Sequence, residues 1–332
     1  MTMDQKNVNR YIGHPSQLGG VEEHRLVGGK GDGLRLYEIR NGKGLELTVS
    51  PDRNGDIPRL RFQGINLSYF SPCGYVAPAY YDNQESNWLA SFTAGFLTTC
   101  GLQAVGAPCV DEGEKLPLHG SIANTPCEHA WWEEDEKEIR IHTKTRDEIL
   151  FGRKLTLSRT LRISKEENTF YIEDEIENTG DRTEPFEILY HMNMGYPLLD
   201  EDSVITIPAR EVRPRDPRAA EGLDHWMQME PPQEGFAEQC YYHIFEGKAG
   251  KASIYQPKLG VQLTMTFDAE VLDGFTEWKM MGVRDYVLGL ECGNCYPDGR
   301  DVMRKIGMLK FLEPGQKQNY QVRIQVERVD AK

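Results

Sequence analysis

The chain has 332 residues, of which 52 are Asp or Glu and 38 are Lys or Arg, so its formal net charge is -14 at pH 7. A chain of this length can bury a large core, either as one big domain or as two smaller ones. The acidic balance argues against nucleic acid and anionic membrane surfaces as partners, because both select for basic protein faces.

The N-terminal residues and the cysteines indicate the compartment. Residues 1–10 hold no apolar core for a signal peptide, and no apolar run approaches membrane-spanning length. The seven cysteines are an odd number and too sparse for a secreted disulfide scaffold. We therefore expect a soluble, cytoplasmic protein with reduced thiols.

Alternation of apolar and polar residues dominates the chain, with the period of two that is typical of half-buried strands. Residues 155–163 and 169–177 both show it, and a polar segment connects them, which predicts an antiparallel hairpin. The same pattern recurs in residues 138–142, 260–267 and 320–326, whereas long helical periodicities with N-caps are hard to find. Many strands broken by Gly, Pro, Asn and Asp predict an all-β fold, a large antiparallel β-sandwich.

No low-complexity segment, clear repeat or interdomain linker interrupts this pattern. We therefore predict a single domain over residues 1–332, in which residues 1–30 form an N-terminal extension or an edge segment. Residues 208–232 are the best candidate for an irregular excursion, because prolines break the strand rhythm there.

Two histidines stand in stretches that suit chemistry. His119 precedes Gly120, which lets a ligand or another backbone segment come close. His191 follows the apolar, strand-like residues 188–190 and enters a polar and aromatic loop. A histidine in such a place can donate or accept a proton near neutral pH. Each could instead be an ordinary structural histidine, hydrogen-bonded in a loop or in the core.

Glu291 follows the apolar run Val287-Leu-Gly-Leu, which looks like the end of a buried strand. A carboxylate in such surroundings must be paired, solvated or shifted in pKa, and a raised pKa suits a general base. The structural alternative is an ion pair with Arg300, Arg304 or Lys279.

Cys292 and Cys295 form a C-x-x-C pair directly after this residue. A single pair without a second one is weak evidence for zinc, and a β-sandwich is the wrong context for a thioredoxin-like redox helix. We therefore predict no metal site.

The order and setting of these residues, with Phe311-Leu-Glu-Pro-Gly-Gln before a closing strand, resemble the galactose mutarotase (aldose 1-epimerase) superfamily. The resemblance runs from about residue 56 to residue 326 and points to a bacterial aldose-epimerase-like branch. It implies a galactose mutarotase-like supersandwich, a single large twisted β-sandwich whose concave face holds the sugar. It also implies that His119 binds substrate, that His191 is the general acid and that Glu291 is the general base.

The resemblance implies two further substrate-binding residues, an arginine from an early strand and an acidic residue that holds sugar hydroxyls. For the arginine we favour Arg59 over the neighbouring Arg61. For the acidic residue, Asp200, Asp224 and Glu238 lie in the required interval, and we favour Glu238 because its neighbours are polar and aromatic.

Aromatic side chains should provide a stacking face for the sugar ring. Trp278, Trp88 and Tyr242 are the candidates, although most tryptophans in a β-sandwich belong to the core. Polar residues that closely follow the proposed base, among them Asp298, are predicted pocket neighbours that could instead shape the turn. The predicted substrate-binding set is therefore His119, Arg59, Glu238, Trp278, Asn294 and Arg300.

These roles predict an aldose 1-epimerase-like isomerase that interconverts sugar anomers. Glu291 removes the proton of the anomeric hydroxyl while protonated His191 donates one to the ring oxygen, and the roles reverse on ring closure. The reaction needs no metal or organic cofactor. The expected partner is a monosaccharide or a sugar derivative, and a homodimer is compatible with the sequence.

Two other functions stay open at this level. The concave face could bind carbohydrate without turnover, or the protein could be an isomerase or lyase of an open-chain or anionic sugar. Arg213, Arg215 and Arg218 could bind the anionic group of such a sugar, because guanidinium groups suit phosphate and carboxylate. Such a Pro-rich basic loop could equally be a solvated surface or an oligomer contact.

Overall fold

The computed structural model of the chain describes residues 10–329. Antiparallel strands make up most of its regular structure, so the predicted all-β sandwich is confirmed. Residues 1–9 of the predicted N-terminal extension and residues 330–332 of the predicted domain lie outside the described residues. The rest of that extension includes a strand at the edge of a sheet.

Strands follow one another along the chain with mostly short connections. In chain order they are β1 (Gly20–Arg25), β2 (Arg35–Arg40), β3 (Leu45–Ser50), β4 (Asp56–Phe62), β5 (Ile65–Asn66), β6 (Leu97–Leu102), β7 (Cys109–Asp111), β8 (Glu114–Leu116), β9 (His129–Glu134), β10 (Glu138–Glu148), β11 (Lys154–Ser164), β12 (Thr169–Asn178), β13 (Glu184–Met194), β14 (Val204–Thr206), β15 (Glu211–Pro214), β16 (Gln239–Ile244), β17 (Ala249–Gln256), β18 (Val261–Asp268), β19 (Gly274–Met281), β20 (Tyr286–Gly293), β21 (Lys310–Leu312) and β22 (Lys317–Arg328).

Helices in the described part of the chain are short. The α-helices are α1 (Pro217–Glu221) and α2 (Arg300–Lys305), and the 3-10 helices span Pro15–Gln17, Gly29–Gly31, Pro51–Arg53, Pro78–Tyr80, Asn87–Ser91, Ile122–Asn124 and Leu223–His225. Over residues 10–329, no helix has both the length and the apolar character needed to cross a membrane.

Two large antiparallel sheets form the sandwich. The first has twelve strands in the order β1-β2-β3-β4-β6-β13-β20-β19-β16-β15, with β5 paired to β4 and β21 paired to β13. The second has eight strands in the order β14-β17-β18-β22-β12-β11-β10-β9, and β7 and β8 form a separate hairpin. The hairpin predicted from residues 155–163 and 169–177 is the pair of β11 and β12. The other predicted strands correspond to β10, β18 and β22.

The central core lies between the two sheets, and the period of two decides which residues enter it. Tyr190 and Met192 of β13 point into this core, as do Leu288, Leu290 and Cys292 of β20. The intervening residues of both strands therefore face outward from the sandwich.

A second apolar cluster covers the outer face of the twelve-stranded sheet at these strands. It includes Trp88 and Phe92 from the loop before β6, Leu189 of β13 and Met303 of α2. Among the outward-facing residues of β13 and β20, His191 and Glu291 are buried beside this cluster and line a cavity.

The predicted excursion, residues 208–232, contains an edge strand and a helix as well as loops. β15 pairs with β16 at the edge of the twelve-stranded sheet. Asp216 caps α1 by accepting a hydrogen bond from the N–H of Ala219, and Pro217 stands at the first helical position, where no N–H is needed. The segment brings Arg215 to the cavity.

Candidate functional site

His191 and Glu291 face each other across two neighbouring strands. They are register partners in the antiparallel pair of β13 and β20, and directly opposed side chains point to the same face of a sheet. That face is the outer one, because Leu290 and Cys292 on either side of Glu291 point into the central core. The Nε2 atom of His191 lies 3.2 Å from the Oε1 atom of Glu291. Sheet pairing thus brings together a histidine and a glutamate that are far apart in sequence.

Gly289 leaves the room that the Glu291 carboxylate occupies. It lies two residues before Glu291 on β20 and therefore on the same face of the sheet. A Cβ atom at residue 289 would lie 2.3 Å from Oε1 of Glu291 and 3.0 Å from Cβ of Trp278. A side chain there would push the carboxylate away from its position beside His191.

Burial opposes charge on both members of the pair. The side chain of Glu291 is 2% exposed and that of His191 is 6% exposed. Burial, and then the Glu238 carboxylate, raise the pKa of Glu291 well above its ordinary value. Burial, and then the neighbouring His119, lower the pKa of His191 well below its ordinary value. Both directions favour the uncharged forms, a protonated carboxyl at Glu291 and a neutral imidazole at His191.

Several polar atoms in this region are not used by the fold. Oε1 of Glu291 is close to Nε2 of His191 but makes no hydrogen bond with it. Nδ1 of His191 and Oγ1 of Thr276 are also buried and also have no hydrogen-bond partner among the described residues. Unpartnered buried polar atoms are rare in folded proteins because they are costly. Their position beside a cavity indicates a site that a bound molecule completes.

His119 stands next to the pair and has a fixed tautomer. Its ring centroid lies 5.7 Å from that of His191. Its Nδ1 atom accepts a hydrogen bond from the N–H of Gly106 at 3.3 Å, so the proton of the neutral ring is on Nε2. Burial, and then the charge of Arg215, lower the pKa of His119 to about 4. His119 is therefore a neutral N–H donor at physiological pH.

The backbone around His119 explains the glycine that follows it. His119 has a φ of 56° and Gly120 has a φ of 71°, both in the left-handed region. A Cβ atom at residue 120 would lie 2.3 Å from the carbonyl oxygen of Gly101. The glycine is therefore required by the close approach of another backbone segment, one of the two reasons that the sequence suggested.

A cavity of about 430 Å³ contains these groups. Trp88 stacks on Phe92 with their ring centroids 4.6 Å apart, and the edge-on ring of Trp278 lies 5.3 Å from that of His191. All three aromatic residues line the cavity. Apolar and aromatic walls with a few converging polar groups are typical of small-molecule sites, and the volume falls in their usual range.

Glu238, the favoured acidic residue, lies at this cavity between two neighbours. Its Oε1 atom accepts a hydrogen bond from Nη2 of Arg215, and its Oε2 atom accepts one from the indole N–H of Trp278, each at 2.8 Å. Nε of Arg215 also lies 3.3 Å from a carboxylate oxygen of Asp216. The structure thus brings Glu238 and Trp278 together with His119, His191 and Glu291.

Arg215 is a cavity residue that the predicted substrate-binding set does not contain. It lines the cavity, whereas Arg213 pairs with Glu211 and Arg218 pairs with Glu221 at the surface. The cluster of three arginines was the available signal. It could not identify the member that faces the cavity, because that depends on how β15 pairs at the sheet edge.

Arg59 is not brought to the cavity. It lies on β4, and β6 and β13 separate that strand from β20 in the sheet. Its guanidinium group lies over the ring of Phe70, 4.0 Å from the centroid, and donates a hydrogen bond to the hydroxyl of Tyr75 at 3.1 Å. Arg215, from the opposite edge of the sheet, is the arginine that lines the cavity instead.

Asn294 and Arg300 also have structural partners and do not line the cavity. Asn294 is buried, where it accepts a hydrogen bond from the N–H of Ile188 at 2.8 Å and donates one to the hydroxyl of Tyr320 at 3.1 Å. Arg300 is buried at the start of α2 and pairs with Asp111 at 2.7 Å. Their closeness to Glu291 in sequence reflects the turn that follows β20.

The alternative ion pairs for Glu291 are absent in the described residues. Arg300 and Arg304 both pair with Asp111, and Lys279 pairs with a glutamate of the segment 208–232. Among the described Lys, Arg and His side chains, His191 is the one within 4 Å of the Glu291 carboxylate.

Of the other acidic residues considered in the sequence, Asp298 lies at the cavity, and Asp200 and Asp224 do not. Asp298 lines the cavity and accepts a hydrogen bond from the hydroxyl of Tyr242 at 2.6 Å. Asp200 accepts a hydrogen bond from Gln256 away from the cavity, and Asp224 is exposed. The two cysteines of the C-x-x-C pair belong to different apolar clusters, Cys292 to the central core and Cys295 to the second cluster.

A larger, open groove of about 910 Å³ lies on the eight-stranded sheet. Two of its carboxylates already have partners, since Glu173 accepts hydrogen bonds from Arg162 and Gln321, and Glu175 pairs with Lys317. We place the candidate site in the smaller cavity because its titratable groups include buried atoms without partners.

Comparison with protein families gives one match. A family profile described as Domain of unknown function (DUF4432) matches residues 31–326. No protein of curated function matches the sequence.

Solved structures with a similar fold include sugar epimerases. A Klebsiella pneumoniae protein, provisionally assigned as an aldose 1-epimerase, has a TM-score of 0.87 and 26% identity, covering 93% of this chain and 83% of its own. A galactose mutarotase-like protein from Clostridium acetobutylicum has a TM-score of 0.65 and 12% identity, covering 95% of this chain and 100% of its own. Galactose 1-epimerase from Lactobacillus acidophilus has a TM-score of 0.62 and 13% identity, covering 94% of this chain and 100% of its own. The resemblance predicted from the motifs is confirmed in the fold.

Proposed function

Since this chain belongs to the DUF4432 family and has the fold of the galactose mutarotase superfamily, we propose that it is an aldose 1-epimerase-like enzyme that interconverts the anomers of a sugar. The observation that carries the proposal is the pair of His191 and Glu291, 3.2 Å apart at a cavity of about 430 Å³. Anomer interconversion needs one group that removes a proton and another that supplies one. A pair that shares a single proton provides both.

The reaction opens the sugar ring and closes it again. Glu291 takes the proton of the anomeric hydroxyl, His191 donates a proton to the ring oxygen, and the bond between C1 and the ring oxygen breaks to give the open-chain aldehyde. Rotation about the C1–C2 bond presents the other face of the carbonyl, and the reverse transfers close the ring. On ring closure Glu291 gives its proton back and His191 regains one, so both groups return to their starting protonation states and the cycle is balanced.

One proton shift converts the resting pair into the form that these roles need. Burial favours the proton on the carboxyl of Glu291, whereas the acid role requires it on His191. The two atoms are 3.2 Å apart, so the shift is local. A sugar hydroxyl that donates a hydrogen bond to the carboxylate stabilises its charged form and favours this shift.

The neighbouring residues supply binding and orientation. His119 presents a neutral Nε2–H to a sugar oxygen on which negative charge develops. Trp278 offers an aromatic face, and the carboxylate of Glu238 accepts hydrogen bonds from hydroxyl groups. In this proposal the arginine of the site is Arg215, which holds Glu238, and Arg59 has no part in it.

The test is the rate of anomer exchange, measured by saturation-transfer NMR over a panel of neutral, acidic and phosphorylated sugars. We expect the protein to accelerate exchange for at least one sugar, and Glu291→Gln and His191→Asn each to lose that acceleration. General acid–base groups contribute about 100- to 10,000-fold, so the loss is easy to measure.

Glu277→Gln is a matched control for a buried carboxylate on the same sheet. Glu277 pairs with His243 at 2.9 Å, and this second pair contacts Phe275 of the central core. We expect Glu277→Gln to keep anomer exchange per folded molecule. Sugar binding without any acceleration by the unmodified protein would contradict the proposal and indicate a carbohydrate-binding protein. Exchange of a carbon-bound proton with solvent would indicate an isomerase of an open-chain sugar instead.

A further inference from the structure

The charges around the cavity are unevenly distributed. Glu238, Glu291 and Asp298 are its acidic lining residues, whereas Arg215 is the one Lys or Arg among the described residues that line it. Even with the shared proton on Glu291, two carboxylates stand against one guanidinium group. An anionic ligand would therefore meet more negative than positive charge unless Arg215 were free to bind it.

Arg215 is already occupied by carboxylates of the protein itself. Its Nη2 atom donates to Oε1 of Glu238 at 2.8 Å, and its Nε atom lies 3.3 Å from Oδ2 of Asp216. A guanidinium group offers a fork of donors that matches one carboxylate or phosphate group well. Glu238 holds the cavity side of this fork, because Glu238 lines the cavity and Asp216 does not.

Glu238 is also fixed from the other side. Its second oxygen, Oε2, accepts the indole N–H of Trp278 at 2.8 Å. Both oxygens of the carboxylate are therefore engaged, one by Arg215 and one by Trp278. To bind a ligand anion, Arg215 would have to release Glu238, which would leave that carboxylate beside the ligand's own negative charge.

We propose that Glu238 determines charge specificity, because it occupies the place at Arg215 that an anionic sugar group would take, and that the cavity consequently selects neutral sugars. The inference rests on the proposed function only in taking a sugar as the occupant of the cavity. It also argues against the anion-binding alternative for the arginine cluster, since Arg215 positions Glu238 and does not bind a ligand anion.

The experiment compares sugars that differ only at C6, where a hydroxymethyl group is replaced by a carboxylate. The probes are D-glucose with D-glucuronate and D-galactose with D-galacturonate, and their dissociation constants are measured by calorimetry or by saturation-transfer difference NMR. We expect the unmodified protein to bind the neutral member of a pair at least about tenfold more tightly. In Glu238→Gln, which keeps the size of the side chain, we expect binding of the uronate to rise by about tenfold and the preference to shrink or reverse.

Two further variants test whether the preference for neutral sugars depends on Glu238 itself and on its contact with Arg215. Asp216→Asn removes a negative charge from the same guanidinium group outside the cavity, and asparagine can still cap α1. We expect Asp216→Asn to keep the preference for neutral sugars. The double variant Glu238→Gln with Arg215→Gln should lose the uronate binding that Glu238→Gln gains.

Several outcomes would overturn the inference. These are uronate binding by the unmodified protein as tight as that of the neutral sugars, no binding of neutral sugars, or equal effects of Glu238→Gln and Asp216→Asn. Because the measurement is binding, it is separate from the test of catalysis. A protein that prefers neutral sugars but does not interconvert their anomers would contradict the proposed function and leave this inference in place.

Discussion

Tyr190 and His191 are consecutive residues of β13, yet they belong to two buried polar clusters of opposite character. The hydroxyl of Tyr190 points into the central core and donates to Asp174 at 2.8 Å. Arg159, which is fully buried, donates to Asp174 through two nitrogens at 2.8 Å and to Asp56 at 3.1 Å. Each carboxylate oxygen of the two aspartates accepts at least one hydrogen bond. The cluster is complete without a ligand.

His191 points to the other face of the sheet, where the hydrogen bonding of the buried side chains is incomplete. Oε1 of Glu291 and Nδ1 of His191 have no hydrogen-bond partner among the described residues, and they adjoin a cavity. Both clusters are buried, so burial does not distinguish the cluster with complete hydrogen bonding from the incomplete one. Hydrogen-bond saturation distinguishes them when a cavity is present. The cavity matters, because the pair of His243 and Glu277 also has unpaired atoms but faces the central core.

The largest expected effect is a loss of activity without a loss of stability when Glu291 of the incomplete cluster is replaced. Glu291→Gln should lower kcat/KM for anomer exchange by at least about 100-fold, because it removes the proton acceptor. It should change the free energy of unfolding by less than about 1 kcal/mol or raise it, because no ion pair of the folded core is broken. Saturation-transfer NMR and urea unfolding measure the two quantities. A large loss of stability would show that Glu291 is a structural residue.

For the cluster around Arg159, in which each carboxylate oxygen of the two aspartates accepts a hydrogen bond, we expect the reverse: a loss of stability without a loss of activity. Arg159→Met leaves Asp56 and Asp174 buried without their cation, and we expect the free energy of unfolding to fall by about 3 to 5 kcal/mol. Urea unfolding followed by circular dichroism measures this change. Activity per folded molecule should stay within about threefold, since Arg159 lies on the far side of the sheet from the cavity. A loss of activity as large as that of Glu291→Gln would remove the contrast between the clusters.

A smaller effect tests the position of the carboxylate. In Gly289→Ala the new Cβ atom would overlap Oε1 of Glu291, so the carboxylate must move away from His191. We expect kcat/KM to fall by about 10- to 100-fold, since small displacements of reacting groups have effects of this size. The affinity for the sugar should change much less. Unchanged kcat/KM would show that the observed contact between Glu291 and His191 is not the reactive arrangement.

The pH profile should give the smallest but most specific effect. The active pair holds one proton, so activity is lost as pH falls through the pKa of His191, which is lowered from 6.5. Activity is also lost as pH rises through the pKa of Glu291, which is raised from 4.5. We expect an acid limb below pH 6.5 and an alkaline limb well above the range of ordinary carboxyl groups. Because the Glu238 charge raises the pKa of Glu291, Glu238→Gln should move the alkaline limb to lower pH. An acid limb above pH 6.5 would contradict the assignment.

The sequence by itself determined where strands form and that Glu291 follows an apolar run. Alternation along β11, β12, β18 and β22 is a local property, and so is the apolar run before Glu291, because a strand repeats every two residues whatever its partners are. The sequence also singled out Glu238 and Trp278, which lie at the cavity with His119, His191 and Glu291.

Only the tertiary structure decided how these residues meet. The register that places His191 opposite Glu291 depends on which strands pair, and the choice of Arg215 over Arg59 depends on the order of strands across the sheet. Asn294 and Arg300 contact structural partners that lie far from them in sequence. These features come from contacts between distant segments, whose geometry is set by strand pairing and packing and not by the local pattern of residues.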